Sequence, residues 1–590
     1  MVDSPDYHSD STAVDKPSPR SSRSPRAARR QRGTAGSGQN ERSFVRVLLK
    51  LVYSVVHGIV YPPLAWVGWL FYQAYQLVIR SLFASAGPHL PPGKKYGRIA
   101  VIGAGLTGVS TAAHAVDHGF DVVIFEAEKD VGGVWARENS TSQLQLNSIL
   151  YRFHPSVLWN TGFPQRDEIL SQIAAVWRRY NLQEHTRFGY RVKKVIRDPD
   201  SSTDPREGGH SRWIINDGKE GIFDAVVCAL GTCGKPKFIE LDGQDQFNGQ
   251  IIHSSQLDNA ELEGKRVVIV GSGASGVESA ELAVAKKAKD VVVLARSDKW
   301  IIPRNTLIDV LLSLQPFGRE MPLSFIPEWL IRTFHYRDLA SLSPVDKGLY
   351  QGTPIVNDEF LEHIRQGKIE YKRGDTKSVV PSGIRFVERE RGTKSGDDGD
   401  ETLISADVLI IATGYKRPSI DFLPDDLFPS ERDRDYHPPS LYLQNFAVED
   451  WSVLMTNASY QDGLGTVGNW HIGLLARIQL VFLLDESTRP VPAAMKTWVD
   501  VINWVKMRAW GEDSASGLTF FTYSEMCLWI ILFHAFNPRR LPWLPFILFG
   551  WGVRPGTADR LSVERVKAAE ERASGWGSRL RPSTWGRVSA

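Results

Sequence analysis

The sequence has few of the residues that would commit it to a disulfide scaffold or a metal centre. Only Cys228, Cys233 and Cys527 occur in 590 residues, too few for a disulfide framework and suited to a reducing compartment. The histidines are scattered and the cysteines lack ligand spacing, so we predict no metal site. Basic and acidic side chains nearly balance, 70 against 67, which gives no indication of a nucleic-acid partner.

Cys228 and Cys233 have four residues between them, a spacing that some redox-active disulfides share. They follow an apolar run, Ala225–Leu230, that has the pattern of a buried strand. A thiol at such a position is generally a small hydrophobic side chain. We therefore favour a structural role, with a redox pair as the alternative.

The chain begins with two stretches of opposite character. Residues 1–42 are rich in Ser, Pro, Arg and Gly and carry almost no large apolar side chains. Such a segment cannot bury enough surface to offset its chain entropy, and we predict a disordered tail. Residues 43–88 are hydrophobic, and from Leu51 to Ile79 only His57 can carry a charge.

The hydrophobic segment predicts attachment to a membrane. Its uncharged run exceeds the ~20 apolar residues that a transmembrane helix needs, although Pro62-Pro63 in its middle should break or kink a helix. Basic residues flank both ends and tend to stay cytoplasmic. We expect a hairpin or interfacial anchor through residues 44–84, of the endoplasmic reticulum or lipid-droplet type, with the rest of the chain facing the cytosol. A buried helical pair is the alternative.

From Gly97 onward the pattern is that of an α/β fold. Short β-branched runs alternate with glycine turns and helical stretches, which predicts parallel sheets. Residues 481–590 are rich in Trp and are predicted as a helical C-terminal region. The predicted strands are Arg98–Ile102, Asp121–Phe125, Ala225–Ala229, Arg266–Val270, Val291–Ala295 and Asp407–Ile411.

The first candidate site is a glycine-rich turn between a strand and a helix. Three glycines are spaced for a tight turn, for close approach of the backbone to a pyrophosphate, and for helix packing. The next strand ends at Glu126, where a carboxylate accepts hydrogen bonds from ribose hydroxyls and repels a 2′-phosphate. The candidate cofactor-binding residues are Gly103, Ala104, Gly105, Leu106, Thr107, Gly108 and Glu126.

A second glycine pair follows in Gly132-Gly133-Val134-Trp135. Glycines beside an aromatic side chain allow a flat ring to approach the backbone closely. This favours FAD over NAD at the first site, and it adds Gly133, Val134 and Trp135 to the candidate residues.

The second candidate site repeats the glycine turn with a different residue after the next strand. That strand ends at Arg296, whose guanidinium can pair with a 2′-phosphate, so we predict a preference for NADPH. A plain surface arginine is the alternative. The candidate residues are Gly271, Ser272, Gly273, Ala274, Ser275, Gly276 and Arg296. Two such sites in one chain predict that electrons pass from NADPH to FAD.

Residues 97–480 resemble the flavin-containing monooxygenases, a class B flavoprotein family that includes Baeyer–Villiger and N-hydroxylating enzymes. The segment before the second glycine turn is similar to the fingerprint of that class at Phe247, Gly249, His253 and Asp258. Leu257 stands where the flavin-containing branch has Tyr or Phe and the Baeyer–Villiger branch has Trp, so the subclass stays open. Ala412-Thr413-Gly414-Tyr415 resembles a further family motif and adds Thr413 and Gly414 as candidates.

The resemblance implies two Rossmann-like domains, with an FAD-binding domain over 97–256 and 406–480 and an inserted NADPH-binding domain over 257–405. The family also has an asparagine near the flavin ring. Asn147, followed by Ser148, is the best match and the candidate catalytic residue. Asn160 is the backup, and a capping or surface role for Asn147 is the alternative.

The implied chemistry is a monooxygenation. NADPH reduces FAD, O₂ gives a C4a-hydroperoxyflavin, and a small substrate is oxygenated at nitrogen or sulfur. The alternatives are Baeyer–Villiger oxygenation of a ketone supported by Arg296 or Arg304, an NADPH oxidase, and a flavin disulfide reductase. Substrate identity and oligomeric state stay open.

Overall fold

The structure is a computed structural model that describes residues 61–84, 96–201, 210–306, 308–309, 323–349, 354–428, 441–457, 469–508 and 523–551. The predicted tail over 1–42 and the first part of the hydrophobic segment lie outside these residues. The chain divides into two compact units, Met1–Phe71 and Tyr72–Ala590. All contacts described below lie within the second unit.

The hydrophobic segment forms a helix, α1, over Tyr61–Phe83. Pro62 and Pro63 lie in its first turn, where the missing N–H groups cost no helical hydrogen bond. The residues before Tyr61 lie outside the described ranges, so the break or kink expected at these prolines stays a prediction. Among the described residues, no helix is both long enough and apolar enough to cross a membrane.

The first main sheet is parallel, with the strand order β17-β7-β1-β2-β3. Helix α2 (Leu106–Asp117) connects β1 to β2, and helix α3 (Arg166–Arg179) precedes β3. The strands are β1 (Arg98–Ile102), β2 (Asp121–Phe125), β3 (Thr186–Arg187), β7 (Ala225–Cys228) and β17 (Val453–Leu454). A small antiparallel sheet of β4 (Val195–Arg197), β5 (Trp213–Ile215) and β6 (Ile222–Phe223) lies before β7 in the chain.

The second main sheet is mixed, with the order β15-β14-β13-β10-β9-β16-β8. Helix α4 (Ala274–Ala285) connects β9 to β10. The strands are β8 (Gln250–His253), β9 (Arg266–Val270), β10 (Asp290–Ala295), β13 (Glu370–Val380), β14 (Gly383–Glu388), β15 (Asp400–Ser405) and β16 (Val408–Ile411). Strands β11 (Ile301–Ile302) and β12 (Ile355–Val356) pair separately. Helix α5 (Phe325–Leu330) lies between them in the chain, and α6 (Phe360–Arg365) follows β12.

The predicted domain boundaries at 256/257 and 405/406 cut through this second sheet. They would assign β8 and β16 to the first domain, whereas β16 pairs in parallel with both β8 and β9. All six predicted strands are present, and their ends differ from the predicted ends by at most one residue.

Within the described residues, four α-helices follow β17, namely α7 (Trp470–Leu484), α8 (Pro492–Arg508), α9 (Tyr523–Ala535) and α10 (Leu544–Phe549). Helix α7 packs on α2, where a Cβ on Gly473 would lie 2.5 Å from Nε2 of His114. Trp498, Trp529 and Trp543 join the hydrophobic core around the first sheet. The Trp-rich C-terminal region thus contributes to the core that supports this sheet.

Candidate functional site

The first glycine turn leaves no room for side chains where β1 passes into α2. Gly103 has φ of +106°, and a Cβ there would lie 2.6 Å from the carbonyl oxygen of Ala229. A Cβ on Gly108 would lie 1.8 Å from the carbonyl oxygen of Gly103. Helix α2 begins at Leu106 with Gly105 as its N-cap, so its first N–H groups are left for a ligand.

Glu126 is the residue predicted to distinguish a free ribose from a 2′-phosphorylated one, and we call such a residue the ribose selector. The glycine turn itself holds this side chain in place. Glu126 is buried, and its Oε2 accepts a hydrogen bond from the N–H of Ala104 at 2.6 Å. Its Oε1 accepts from the N–H of Glu128 at 2.8 Å. Thr107 is also buried, and its Oγ1 accepts from Nδ2 of Asn457 at 2.7 Å. The carboxylate is therefore fixed beside the loop before any ligand binds.

The second glycine pair lies directly against the first turn. The N–H of Gly132 donates to the carbonyl of Ala104 at 3.0 Å, and a Cβ on Gly133 would lie 2.9 Å from Cα of Gly105. Val134 and Trp135 follow in a short 3₁₀ helix and are half-buried, and Nε1 of Trp135 donates to Oη of Tyr151 at 3.1 Å. The backbone of the second glycine pair and the Trp135 side chain thus border the same cradle, the name used here for a glycine turn together with the helix N-terminus that follows it.

The second glycine turn repeats the geometry between β9 and α4. Gly271 has φ of +119°, and a Cβ there would lie 2.5 Å from the carbonyl oxygen of Ala412. A Cβ on Gly276 would lie 2.0 Å from the carbonyl oxygen of Gly271. Gly273 is the N-cap of α4, which begins with Ala274 and Ser275. Ser272, between Gly271 and Gly273, is buried.

The selector of the second turn has the opposite character. Arg296 is exposed after β10, and its main-chain carbonyl accepts a hydrogen bond from Nη2 of Arg389 at 2.8 Å. Lys299, which the sequence analysis missed, brings its Nζ to within 3.8 Å of where a Cβ on Gly273 would lie. Burial and the nearby Lys347 lower the pKa of Lys299. This site is therefore bordered by cations.

Two chain segments connect the two main sheets, and they run antiparallel to each other where Pro236 pairs with Tyr415. The second of these segments contains the Ala-Thr-Gly-Tyr motif. The N–H of Lys237 donates to the carbonyl of Gly414 at 2.9 Å, and Oγ1 of Thr413 donates to the carbonyl of Lys237 at 2.6 Å. The predicted residues Thr413 and Gly414 thus lie in a linker rather than in either glycine turn. In the fingerprint segment, Nε2 of His253 hydrogen-bonds the same Gly414 carbonyl at 3.0 Å.

Glu138 and Tyr415 form a contact that the sequence analysis did not identify. Oη of Tyr415 donates to Oε1 of Glu138 at 2.6 Å, and burial raises the pKa of both groups. Tyr415 belongs to the quoted motif, but nothing in the sequence marks Glu138 except its position three residues after Trp135. The pair ties the linker to the segment that follows the second glycine pair.

Asn147 is buried, and each of its polar groups is hydrogen-bonded. Its N–H donates to Oδ2 of Asp309 at 2.9 Å and its Nδ2 donates to Oγ1 of Thr306 at 2.8 Å, while Oδ1 accepts from the N–H of Ile149 at 3.0 Å. Burial raises the pKa of Asp309 to about 7. Residues from the second half of the chain thus hold the candidate catalytic residue. The backup, Asn160, is exposed.

The two cradles fit two dinucleotides, since each combines glycines that allow close backbone approach, a helix N-terminus and a ribose selector. The second glycine pair and Trp135 border the first cradle only, as a flavin ring requires. Within the described ranges, no group of three or more metal-ligating side chains occurs. Fold and site therefore define an oxidoreductase built on two dinucleotide sites.

The chain belongs to the flavin-binding monooxygenase-like family, whose model matches residues 96–446. The family uses FAD and NADPH, so the predictions of the family and of its two cofactors are confirmed at that level.

Two curated relatives illustrate the similarity. A Baeyer-Villiger monooxygenase of Pseudomonas aeruginosa is 30% identical over 233 residues, which are 38% of this chain and 42% of that protein. Flavin-containing monooxygenase 5 of Homo sapiens is 27% identical over 356 residues, which are 55% of this chain and 62% of that protein. The matched stretches thus span less than two thirds of either relative.

Solved structures share the fold. An oxidized steroid monooxygenase bound to NADP has a TM-score of 0.55 at 19% identity, covering 75% of this chain and 97% of that one. An open cyclohexanone monooxygenase has a TM-score of 0.55 at 18% identity, covering 76% of this chain and 99% of that one. At these identities the likeness concerns the architecture.

Proposed function

We propose that this chain is an NADPH-dependent FAD monooxygenase that oxygenates a small substrate at nitrogen or sulfur. The observation that carries the proposal is the pair of glycine cradles with opposite ribose selectors, a buried carboxylate at Glu126 and an exposed guanidinium at Arg296. The first cradle takes FAD because a carboxylate accepts from free ribose hydroxyls. The second takes NADPH because a guanidinium pairs with the 2′-phosphate.

Bound FAD supplies the redox chemistry by which NADPH, O₂ and a proton give NADP⁺, water and an oxygenated substrate. The protein binds, orients and excludes water. Asn147 can donate toward the reacting centre, because its amide nitrogen carries two hydrogens and Thr306 takes one. Trp135, held by Tyr151, closes the side of the first cradle.

The disulfide reductase alternative is disfavoured by the setting of its cysteines. Cys228 is fully buried in β7, and burial strongly raises the pKa of its thiol. A thiol–disulfide exchange needs an accessible thiolate. Ketone oxygenation stays the second candidate, because one relative is named a Baeyer-Villiger monooxygenase.

The oxygenation proposal is tested with the purified full chain on a panel of amines, sulfides and ketones. Oxygen consumption and product mass are measured with NADPH, and hydrogen peroxide is measured alongside. N-oxide or sulfoxide matching the NADPH consumed supports the proposal. Ester or lactone from ketones would move the chain to Baeyer–Villiger chemistry, and peroxide equal to the NADPH consumed on every substrate would make it an oxidase.

We also propose that residues 44–84 attach the chain to a membrane, with the nucleotide sites on the cytosolic side. The support within the second unit is the exposed face of α1, where Leu77, Val78 and Leu82 are apolar. Phe83 of this helix stacks on Phe549 and Trp551, 5.4 and 5.6 Å between ring centroids. Aromatic rings at a surface are typical of membrane interfaces.

Flotation of the full chain with phospholipid vesicles tests this attachment. The wild type should float, and a variant with Leu77, Val78 and Leu82 all changed to Gln should float less. Leu403→Gln, which changes an exposed leucine on β15, is the matched control and should float like the wild type. A wild type that stays with the soluble fraction at every lipid concentration would refute the attachment.

A further inference from the structure

Helix α1 buries a polar side chain against the protein and leaves several apolar side chains exposed. Gln76 is fully buried, whereas Leu77 and Leu82 are 56% and 55% exposed. A helix that merely covers a core has the reverse pattern. Because α1 also precedes the family match, which begins at residue 96, its buried polar contacts are an addition to the family core.

The side-chain amide of Gln76 pairs with the main chain of Trp159 in both directions. The N–H of Trp159 donates to Oε1 at 2.7 Å, and Nε2 donates to the carbonyl of Trp159 at 2.8 Å. Gln73 donates to the same carbonyl at 2.9 Å. Gln73 and Gln76, one helical turn apart, thus hold the main chain of one residue, Trp159, in the segment that follows Asn147.

A buried cation completes this contact. Nη2 of Arg152 donates to Oε1 of Gln76 at 2.5 Å, and its Nη1 donates to the carbonyl of Val157. Arg152 is fully buried, and this burial lowers the pKa of its guanidinium. A buried charge that loses a hydrogen-bond partner is costly, so Gln76 matters more than an ordinary surface glutamine.

A second attachment lies at the other end of the same segment. Oη of Tyr72 and Oγ of Ser148 are 2.7 Å apart, and Ser148 also donates to the carbonyl of Thr161 at 2.8 Å. Ser148 directly follows Asn147. Helix α1 therefore holds the segment 148–159 both beside the candidate catalytic residue and at Trp159.

The held segment also borders the first cradle. The rings of Trp159 and Tyr151 are 6.4 Å apart, and Oη of Tyr151 accepts from Nε1 of Trp135. A displacement of Trp159 would reach Trp135 through two side-chain contacts. It would reach Asn147 through Ser148.

We propose that Tyr72 and Gln76 are positioning residues, which hold the segment from Asn147 to Trp159 in the arrangement that keeps oxygen transfer coupled to NADPH consumption. The inference rests on the proposed monooxygenase function. It makes α1 part of the active-site architecture as well as the proposed membrane anchor.

The test compares four variants of the full chain with bound FAD. Gln76→Leu removes every hydrogen bond of the amide, whereas Gln76→Glu keeps both acceptor contacts and gives Arg152 an opposite charge. Tyr72→Phe removes the hydroxyl that contacts Ser148 and that also interacts with Arg152. Leu77→Gln changes the neighbouring exposed residue and is the control.

Two measurements are made below the unfolding temperature of each variant. Hydrogen–deuterium exchange of the peptide covering 148–159 should be about tenfold faster in Gln76→Leu, as expected for the loss of hydrogen bonds to a buried charge. Hydrogen peroxide released per NADPH should rise severalfold in the same variant. Tyr72→Phe should show smaller changes in the same direction, and so should Gln76→Glu, because a carboxylate oxygen replaces the Nε2 donor to the Trp159 carbonyl. Leu77→Gln should stay near the wild type.

Wild-type exchange and coupling in Gln76→Leu would overturn the inference. So would equally fast exchange in all four variants, because that pattern reports general loosening of the helix. A wild type that consumes no oxygen with NADPH would instead refute the proposed function, and the exchange experiment would still report whether α1 holds the segment.

Discussion

The two nucleotide cradles of this chain share a backbone and differ in how their ribose selectors are held. Glu126 is buried and receives hydrogen bonds from the N–H groups of Ala104 and Glu128. Arg296 is exposed, and within the described residues no ion pair to its guanidinium is present. The first selector is fixed before a ligand arrives, whereas the second must be ordered by its ligand, at a cost in side-chain entropy.

This difference matches the two roles that the cradles are proposed to have. A cofactor that stays bound through many turnovers gains from a preorganised site, because little ordering opposes binding. A cosubstrate that must leave after each turnover is served by a selector that can release it. The comparison predicts that equivalent substitutions in the two cradles have different consequences.

The largest difference is expected between Gly108→Val and Gly276→Val. Both side chains would collide with a carbonyl oxygen of their own turn, at 1.8 Å and 2.0 Å for the Cβ alone, and overpacking of this kind distorts the backbone. Gly108→Val should lose FAD completely, whereas Gly276→Val should stay yellow and lose NADPH binding. The measurements are flavin content after purification and titration with NADP⁺.

Gly273→Ala is the control for this pair. Its Cβ would meet only Nζ of Lys299, at 3.8 Å, and its φ of −75° suits any residue. It should fold and stay yellow, and its thermal unfolding should match the wild type. Equal loss of flavin from Gly108→Val and Gly276→Val would contradict the assignment of one cofactor to each cradle.

The next effect in size is expected for Glu126→Gln. Both carboxylate oxygens accept main-chain N–H groups, so an amide nitrogen would face a donor at one of the two positions. A charge-assisted hydrogen bond contributes about 1.5–3 kcal/mol, which corresponds to roughly a tenfold or larger loss of FAD affinity. Equilibrium dialysis of FAD against the apoprotein measures it, and unchanged affinity would remove Glu126 as the selector.

A smaller and more selective effect is expected for Arg296→Met. Its exposed guanidinium should contribute to NADPH binding and not to NADH binding, so the KM for NADPH should rise about tenfold while that for NADH stays the same. Lys299→Met should add to this effect if its ammonium reaches the same phosphates. Equal KM changes for both nucleotides would indicate that Arg296 does not distinguish them.

The smallest effect concerns two acids, Glu278 on the helix of the second cradle and Asp309 beside Asn147. Burial raises the pKa of Glu278 on α4, and that of Asp309, to about 7. The folded chain then holds protons that the unfolded chain releases between about pH 4 and 7, so stability should fall as the pH rises through that window. Glu278→Gln should flatten the fall in unfolding temperature between pH 5 and pH 8 by a few degrees, and an unchanged slope would contradict the raised pKa.

The parts of this molecule that the sequence predicted are those specified locally. A strand, three glycines and a helix lie within about twenty residues, and the first and third glycines of each turn are required by a backbone contact in their own turn or at the adjoining strand end. That is why both cradles, and the six strands around them, could be placed from residue patterns alone.

The parts that could not be predicted depend on contacts between distant residues. Thr306 and Asp309 hold Asn147 across about 160 positions of the chain, and Gln76 holds Trp159 across 83. Strands β8 and β16 join the second sheet by parallel pairing, which no local pattern encodes. Pro62 and Pro63 lie in the first turn of α1, a position that composition alone did not indicate.

Anaerobic mixing of the FAD-bound full chain with NADPH and with NADH tests the central claim most directly. We predict that flavin absorbance in the wild type bleaches with one equivalent of NADPH and much more slowly with NADH, and that Gly276→Val keeps its flavin but does not bleach. Bleaching of Gly276→Val at the wild-type rate, or equal wild-type rates with both nucleotides, would contradict it.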